Sequence, residues 1–411
     1  MKLDLSISYL FAAKQPTTGT SYVQSSFGIG FETGKNIIAR HVELDVEPGQ
    51  IVLFVGSSGG GKSSLLREAM RQLVGGGYSA ADLDDHLLST AEDNRSLVDI
   101  LSENPQQSAA LLGQSGLGEA FLMLRSPREL SDGQRYRFAI ASCLASGAQI
   151  VVADEWCAKL DRITAKVLSL SARKTSAARG TIFLVATTHE DIIGDLQPDW
   201  IVRPLGGGKV EVVRKDGPFR KTISFLDQLW ISQGTRTDWP YFAGWHYRGH
   251  KIGFVHKIFL LWHEAEPIGI AVYTTAALGS STRNRAFPEL AKASPRARAR
   301  WLNKNVWTQS RLVLDPRYRG AGLASRFNRA TCQLCPVRYI ESLSEMERQV
   351  PLDKAAGFLR IGATKDKSHL TFKDVKGMFH GKKPPTQEWF LKSRHARPIY
   401  SIFTNKDIPT C

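Results

Sequence analysis

An apolar run, Ile51-Val-Leu-Phe-Val, feeds directly into Gly56-Ser-Ser-Gly-Gly-Gly-Lys62-Ser63-Ser64, and a helix-forming stretch follows over residues 65–73. A buried strand, a glycine-rich turn and a helix in this order bring successive backbone N–H groups around a phosphate at the positive end of the helix. Gly56, Gly59, Gly60 and Gly61 supply the turn and Lys62 a charge that reaches the β- and γ-phosphates. Ser63 offers a hydroxyl to Mg²⁺, and Ser64 adds a polar group at the helix start. The pattern predicts a phosphate-binding loop and therefore a nucleoside triphosphate.

Residues further along narrow the class. Leu130-Ser131-Asp132-Gly133-Gln134 opens a helical stretch over 135–144, and Gln149-Ile-Val-Val-Ala-Asp154-Glu155 is an apolar strand ending in two carboxylates. Leu160-Asp161 follows, and Thr181-Ile-Phe-Leu-Val-Ala-Thr-Thr-His189 is a second buried strand ending in a histidine. In order and spacing, residues 20–213 resemble the ATP-binding-cassette (ABC) ATPases. Asp154 is suited to orient Mg²⁺ and its waters, Glu155 to polarise the attacking water, and His189 to contact the γ-phosphate. The resemblance implies that Ser131, Gly133 and Gln134 meet the γ-phosphate held by a second chain. One loop and one signature per chain then imply an ATP-dependent head-to-tail homodimer. Phe27 or Phe31 lies about where the family stacks an aromatic on adenine. Asp132 replaces the signature's second glycine, and slower turnover is expected from a carboxylate near phosphates. Gln106, Gln107 and Gln114 are the candidates for the family's Q-loop glutamine.

With 411 residues the chain has room for two or three domains. No apolar run approaches the ~20 residues of a transmembrane helix, and the N-terminus lacks a signal peptide's apolar core. These absences argue against a transporter contained in this chain and for a cytoplasmic protein. Five scattered cysteines fit a reducing compartment. Cys332 and Cys335 read as plain thiols, because no second pair or nearby histidine completes a metal site. Residues 216–411 hold 32 Lys and Arg against 15 Asp and Glu, a net of +17, whereas residues 1–215 hold 22 against 24, a net of −2. A polyanionic partner is expected for the second half.

The expected boundaries are 1–215 for the ATP-binding domain, 216–372 for a second domain, and 373–411 for a basic tail that packs on or extends it. In the second domain, Lys257-Ile-Phe-Leu-Leu-Trp262 and Pro267-Ile-Gly-Ile-Ala-Val-Tyr273 form a hairpin. Val306-Trp-Thr-Gln-Ser-Arg311-Leu-Val-Leu-Asp315 runs into Pro316-Arg317-Tyr318-Arg319-Gly320-Ala321-Gly322-Leu323, then a helix to about Cys335. A strand around Tyr339-Ile-Glu341 and a helix closed by Gly357 follow. This succession resembles the GNAT acyltransferase fold, with Arg317-x-x-Gly320-x-Gly322 matching the family's coenzyme-binding loop. The resemblance implies that amides near Arg319, Gly320, Ala321, Gly322 and Leu323, with Arg317, hold the pyrophosphate of an acyl-coenzyme A, acetyl-coenzyme A being the simplest. Many members place a tyrosine acid where this chain has Asp353; Glu341 is the candidate base, with a structural hydrogen-bonding role the alternative. The expected fold class is α/β: an ABC-type P-loop domain, then a smaller GNAT-like α+β domain with a central mixed sheet.

Trp245-His246-Tyr247, Arg283-Asn284-Arg285, Arg311 and Glu341 with Met346 and Pro351 resemble the Mom-type branch of GNAT proteins, which modify an adenine amine in DNA. His246 and His250 are read as aromatic-flanked core histidines more readily than as metal ligands. Arg283, Arg285, Arg296, Arg298, Arg300 and Lys304 form a basic strip suited to phosphates, with Trp301 and Trp307 near enough to stack bases. The tail adds Lys382, Lys383, Arg394 and Arg397 with Trp389, Phe390 and Tyr400. The expected function is an ATPase coupled to acyl transfer onto nucleic acid, DNA in the first instance. Two alternatives stand beside it: an ATP-regulated N-acetyltransferase of a protein or small molecule, and a repair or defence ATPase with a non-catalytic GNAT fold.

Overall fold

A computed structural model describes residues 1–11, 15–30, 34–246, 252–365, 396–406 and 408. The chain divides into two compact units, one of Met1–Leu117 with Leu122–Leu226, the other of Gly118–Phe121 with Asp227–Cys411. The expected boundary after residue 215 follows the last strand of unit 1; the units themselves part between Leu226 and Asp227.

Unit 1 is built on six strands: β3 (Ile51–Val55), β4 (Ala80–Asp82), β5 (Ile150–Ala153), β6 (Ile182–Thr187), β7 (Trp200–Gly206) and β8 (Lys209–Arg214). Their order is β4-β5-β6-β3-β7-β8, parallel except for the β7–β8 hairpin. Every residue of β3, β5 and β6 is buried, as a parallel sheet covered on both faces demands. Alternation sorts them: Ile51, Leu53 and Val55 join one core with Phe138 and Leu168, while Val52 and Phe54 join the other with Leu65 and Ala69. The first core is covered by the helices Asp132–Ala145 and Arg162–Arg179. The second is covered by the helix Lys62–Gly75 and the antiparallel pair β1 (Lys2–Phe11) and β2 (Gly34–Asp45).

Unit 2 is a seven-stranded sheet: β9 (Leu229–Gly234), β10 (Val255–His263), β11 (Glu266–Thr275), β12 (Val306–Leu314), β13 (Tyr339–Ser344), β14 (Leu359–Ala363) and β15 (Ile399–Thr404). The order is β14-β15-β13-β12-β11-β10-β9, and β12–β13 is the one parallel pair among them. That pair is joined by the helix Leu323–Gln333, a connection long enough to return the chain in parallel. Residues 399–404 are thus an interior strand of the sheet, with buried side chains from Ile399 to Phe403. The tail's Lys382, Lys383, Trp389, Phe390 and Arg394, like Phe31, Tyr247 and His250, lie outside the described residues.

The parallel pair does not stay together. Its register runs from Val306 opposite Tyr339 to Gln309 opposite Ser342 and ends there, although both strands continue. Beyond that point β12 stays with β11 and β13 with β15. A bulge at Ser310, between partners Val272 and Tyr273 on β11, turns β12 at the place where the strands part.

Candidate functional site

Three adjacent parallel strands of unit 1 carry the expected nucleotide-site residues at their carboxyl ends. Val55 of β3 lies opposite Thr187 of β6, and Ala153 of β5 opposite Val185, so the glycine loop, His189 and Asp154-Glu155 emerge along one edge. Ligands of open α/β sheets collect at such edges. In the loop, Gly56, Gly59 and Gly61 have φ of 148°, 75° and 95°, values a side chain disfavours. A Cβ at Gly61 would lie 2.3 Å from Ile38 Cγ2. Gly61 caps the helix Lys62–Gly75 without a side-chain hydrogen bond, which leaves its first amides for an anion. Lys62 Nζ donates to Ser57 O at 2.6 Å, so its charge is folded back over the loop where phosphate oxygens would take over that bond. Ser63 follows on the first turn of that helix, and Ser64 Oγ accepts from Tyr9 at 2.8 Å. The loop faces residues 203–206 of β7 across a shallow cleft that brings in Arg203, which no local motif marked.

The carboxylates are positioned by the packing behind them. Trp156 is buried, its backbone N–H bonds Ala186 O at 2.6 Å and its indole donates to Ser169 at 3.0 Å. That anchor holds Glu155 in the left-handed region (φ 51°), where its side chain leaves the sheet for solvent. Asp154 accepts the Glu155 N–H at 3.1 Å. Burial, then the neighbouring Asp82 and Asp154, raise the pKa of Asp84, so negative charge already converges on this edge. The His189 N–H is fixed by Thr187 Oγ1 at 3.2 Å.

Ser131 and Gln134 cap each other at the start of the helix Asp132–Ala145: the Ser131 N–H donates to Gln134 Oε1 at 3.1 Å, and Ser131 Oγ accepts the Gln134 N–H at 3.4 Å. Asp132 is exposed in the first turn, and a Cβ at Gly133 would find its nearest neighbour, Leu160 Cδ2, at 3.8 Å. Phe27, 73% exposed, ends the helix Thr18–Phe27. Among the Q-loop candidates, Gln114 accepts from Arg179, while Gln106 and Gln107 sit at the start of the helix Pro105–Gln114.

The sequence profile of the ABC transporter family matches residues 39–158. A lipoprotein-releasing system ATP-binding protein of Maricaulis maris is 33% identical over 195 residues, 40% of this chain and 84% of its own length. The corresponding protein of Pseudomonas syringae is 31% identical over 220 residues, 45% of this chain and 95% of its own length. The chain belongs to the ABC transporter ATP-binding family. Unit 1 is an ATP-hydrolysing ABC ATPase whose cofactors are ATP and Mg²⁺. Among solved structures, cbiO1 from Clostridium perfringens, part of an ABC transporter complex, aligns over 43% of this chain and 80% of its own, with 19% identity and a TM-score of 0.34. No described helix is long and apolar enough to cross a membrane.

Unit 2 of this ABC protein gathers its polar residues inside. Glu341 is 1% exposed and takes both nitrogens of a two-pronged Arg283 contact at 2.7 Å, together with hydroxyls of Thr308 (2.6 Å) and Tyr400 (2.9 Å). With four donors its carboxylate is saturated, and the geometry is that of a strut, the structural hydrogen-bonding alternative to a base. Burial disfavours the Arg283 charge, but Glu341 outweighs it and the pKa rises. Arg283, 2% exposed, is therefore removed from the nucleic-acid strip.

A second buried network lies where β12 and β13 part. Gln309 Nε2 donates to Asn328 Oδ1 (2.7 Å), Asn328 Nδ2 to Asp353 Oδ1 (3.1 Å), and the Asp353 N–H to Glu347 Oε2 (2.7 Å). Asp353 Oδ2 is buried with no hydrogen-bond partner. Burial, opposed by the Ser342 and Asn328 side chains and reinforced by the Glu347 charge, pushes the Asp353 carboxyl up to about 6. Sequence reading marked Asp353 only as a departure; Gln309, Asn328 and Glu347 carry no local signal.

In the glycine loop that follows, Gly320 and Gly322 have φ of 103° and 82°, and Gly322 caps the helix Leu323–Gln333 without a side-chain bond. Ala321 and Leu323 are buried beside them. Arg317 is bound to Asp315 (2.7 Å) and to Glu266, while Arg319 donates to Leu314 O (2.9 Å) and pairs with Glu119. Both guanidinium charges are thus matched within the unit, so anion binding here would rest on amides. Of the basic strip, Arg285 donates to Ala363 O and Arg298 to carbonyls of Leu290, Ala291 and Ala293, whereas Arg296, Arg300 and Lys304 are exposed. Trp301 is half-buried against Phe287 and Tyr339, and Trp307 is buried against His256, which removes Trp307 from base stacking. Cys332 and Cys335 are buried thiols, with burial pushing Cys335 up to about 12, and they belong to no cluster of three or more His, Cys, Asp or Glu side chains able to hold a metal among the described residues.

Proposed function

We propose that this ABC ATPase works as an ATP-dependent homodimer whose second unit is a GNAT-like acyltransferase acting on nucleic acid, with an adenine amine in DNA as acceptor. The observation that carries the transferase reading is the parting of β12 and β13 after Gln309 and Ser342, beside the uncapped start of the helix Leu323–Gln333. A split between parallel strands next to free helix amides is a slot for an extended ligand with an anionic end. Acyl-coenzyme A has that form and would supply an activated thioester. The carboxyl for proton exchange with an attacking amine is Asp353, unpartnered at Oδ2, in place of Glu341. In the ATPase, Glu155 serves as base, His189 as γ-phosphate contact and Asp154 with Ser63 as Mg²⁺ ligands, with Ser131 and Gly133 supplied by the second copy.

One observation favours a rival. Arg317 and Arg319 are neutralised internally, which suits a GNAT-type fold that binds nucleic acid without catalysis. Calorimetric titration with acetyl-coenzyme A separates the two: saturable binding is expected, and its absence removes the transferase. Mass spectrometry of nucleosides from cells producing wild type or Glu155→Gln tests the acceptor. A new adenine-derived mass in wild type alone is expected; an unchanged profile with active ATPase rules out base modification.

A further inference from the structure

The helix Pro295–Asn305 is held in one rotational setting by four inward contacts. Arg298 donates to three carbonyls of the preceding turn at 2.8–3.3 Å. Trp301 lies against Phe287 and Tyr339, Leu302 is buried, and Asn305 is buried with its amide on Trp301 O. Arg296, Arg300 and Lys304 therefore face outward together, exposed and with exposed Asn303 beside them. Four-residue steps keep the three within about an 80° sector and space them about 6 Å apart along the axis.

The arrangement works against the helix that carries it. Arg296–Arg300 and Arg300–Lys304 are like-charge pairs at i,i+4, Arg296 opposes the positive end of the helix dipole, and the helix contains no acid. A merely solvated face needs no such pattern. We propose that Arg296, Arg300 and Lys304 form a track for three phosphates of one polynucleotide strand. The span of about 12 Å matches three to four nucleotides of a strand at about 3.4 Å each along a duplex axis. The track rests on the nucleic-acid reading of unit 2 but not on acyl transfer, and it uses phosphates alone, so it holds the strand without reading its sequence.

The test is fluorescence anisotropy of the full chain with a labelled single-stranded 20-mer and with its duplex, over a range of salt. Arg296→Gln/Arg300→Gln/Lys304→Gln is expected to flatten the slope of log affinity against log salt by about 2 for the single strand or about 3 for the duplex. A control, Lys209→Gln/Lys215→Gln/Lys221→Gln, makes the same charge change at exposed lysines of unit 1 and is expected to leave the slope in place. Wild type that binds neither oligonucleotide overturns the nucleic-acid reading and the track together. Wild type that binds, with an unaltered slope in the first variant or an equal loss in the control, overturns the track alone. Loss of binding to phosphatidylserine vesicles, with oligonucleotide binding unchanged, would assign the face to membranes and also overturn it.

Discussion

Glu155 in unit 1 and Glu341 in unit 2 meet opposite fates. Glu155 leaves β5 through a left-handed turn and ends in solvent, whereas Glu341 sits in the middle of β13 and accepts four hydrogen bonds. In unit 1 the hydrophobic work is done behind the site, by Trp156 and the all-buried strands, and polar groups are released at one edge. In unit 2 polar groups are themselves part of the core and hold strands together. A carboxylate is free for chemistry only where the fold does not use it, so exposure at a strand end is a better guide than residue type.

The contrast predicts its largest effect at the strut. Glu341→Gln is expected to destabilise unit 2 by about 3–5 kcal/mol, because it leaves Arg283 buried without its counter-charge. Arg283→Met/Glu341→Leu should recover part of that loss, since neither charge remains to be desolvated. Urea denaturation measures both. An unchanged midpoint for Glu341→Gln, with activity lost, would return Glu341 to the role of base.

Asp353 gives a smaller effect with a definite sign. Its folded pKa of about 6 lies above the roughly 3.9 of an unfolded chain. Its contribution is therefore fully present below about pH 4 and is lost as pH rises through about 6, by about 2–3 kcal/mol. Asp353→Asn abolishes that dependence, so the stability gap between variant and wild type should move in the variant's favour from pH 4 to pH 7. A gap constant across this window would show that the carboxyl ionises as it does in the unfolded chain. Binding of acetyl-coenzyme A at Asp353 would show as a gap that changes when the ligand is added.

Legibility followed the same division. The site of unit 1 reads from the sequence because each component is local: a glycine loop follows β3, Asp154-Glu155 follows β5 and His189 follows β6. Arg203, brought in from β7, and Asp84, beside Asp154, escape such reading. In unit 2 four of the seven strands, β10 to β13, were legible as apolar runs, but β9, β14, β15 and the fates of arginines were not. Arg283 finds Glu341 across 58 residues, and Arg317 finds Glu266 across 51. No spacing rule distinguishes those arginines from Arg296 or Arg300, which stay free. Tyr400, placed in a tail by its late position, reaches Glu341 because β15 inserts between β13 and β14.

Ser131 tests the comparison most finely, because it serves the helix and the proposed dimer at once. Ser131→Ala removes the cap and is expected to cost about 1 kcal/mol of stability. Ser131→Asn restores a capping oxygen and should regain most of that, but it replaces the compact hydroxyl offered to the second chain's nucleotide. If the signature acts across a dimer, both variants lose ATP-driven association in light scattering with Glu155→Gln as background, although only the alanine loses stability. If association instead follows stability, returning with asparagine, Ser131 is a cap alone. The released edge of unit 1 would then differ less from the interior of unit 2 than Glu155 suggests.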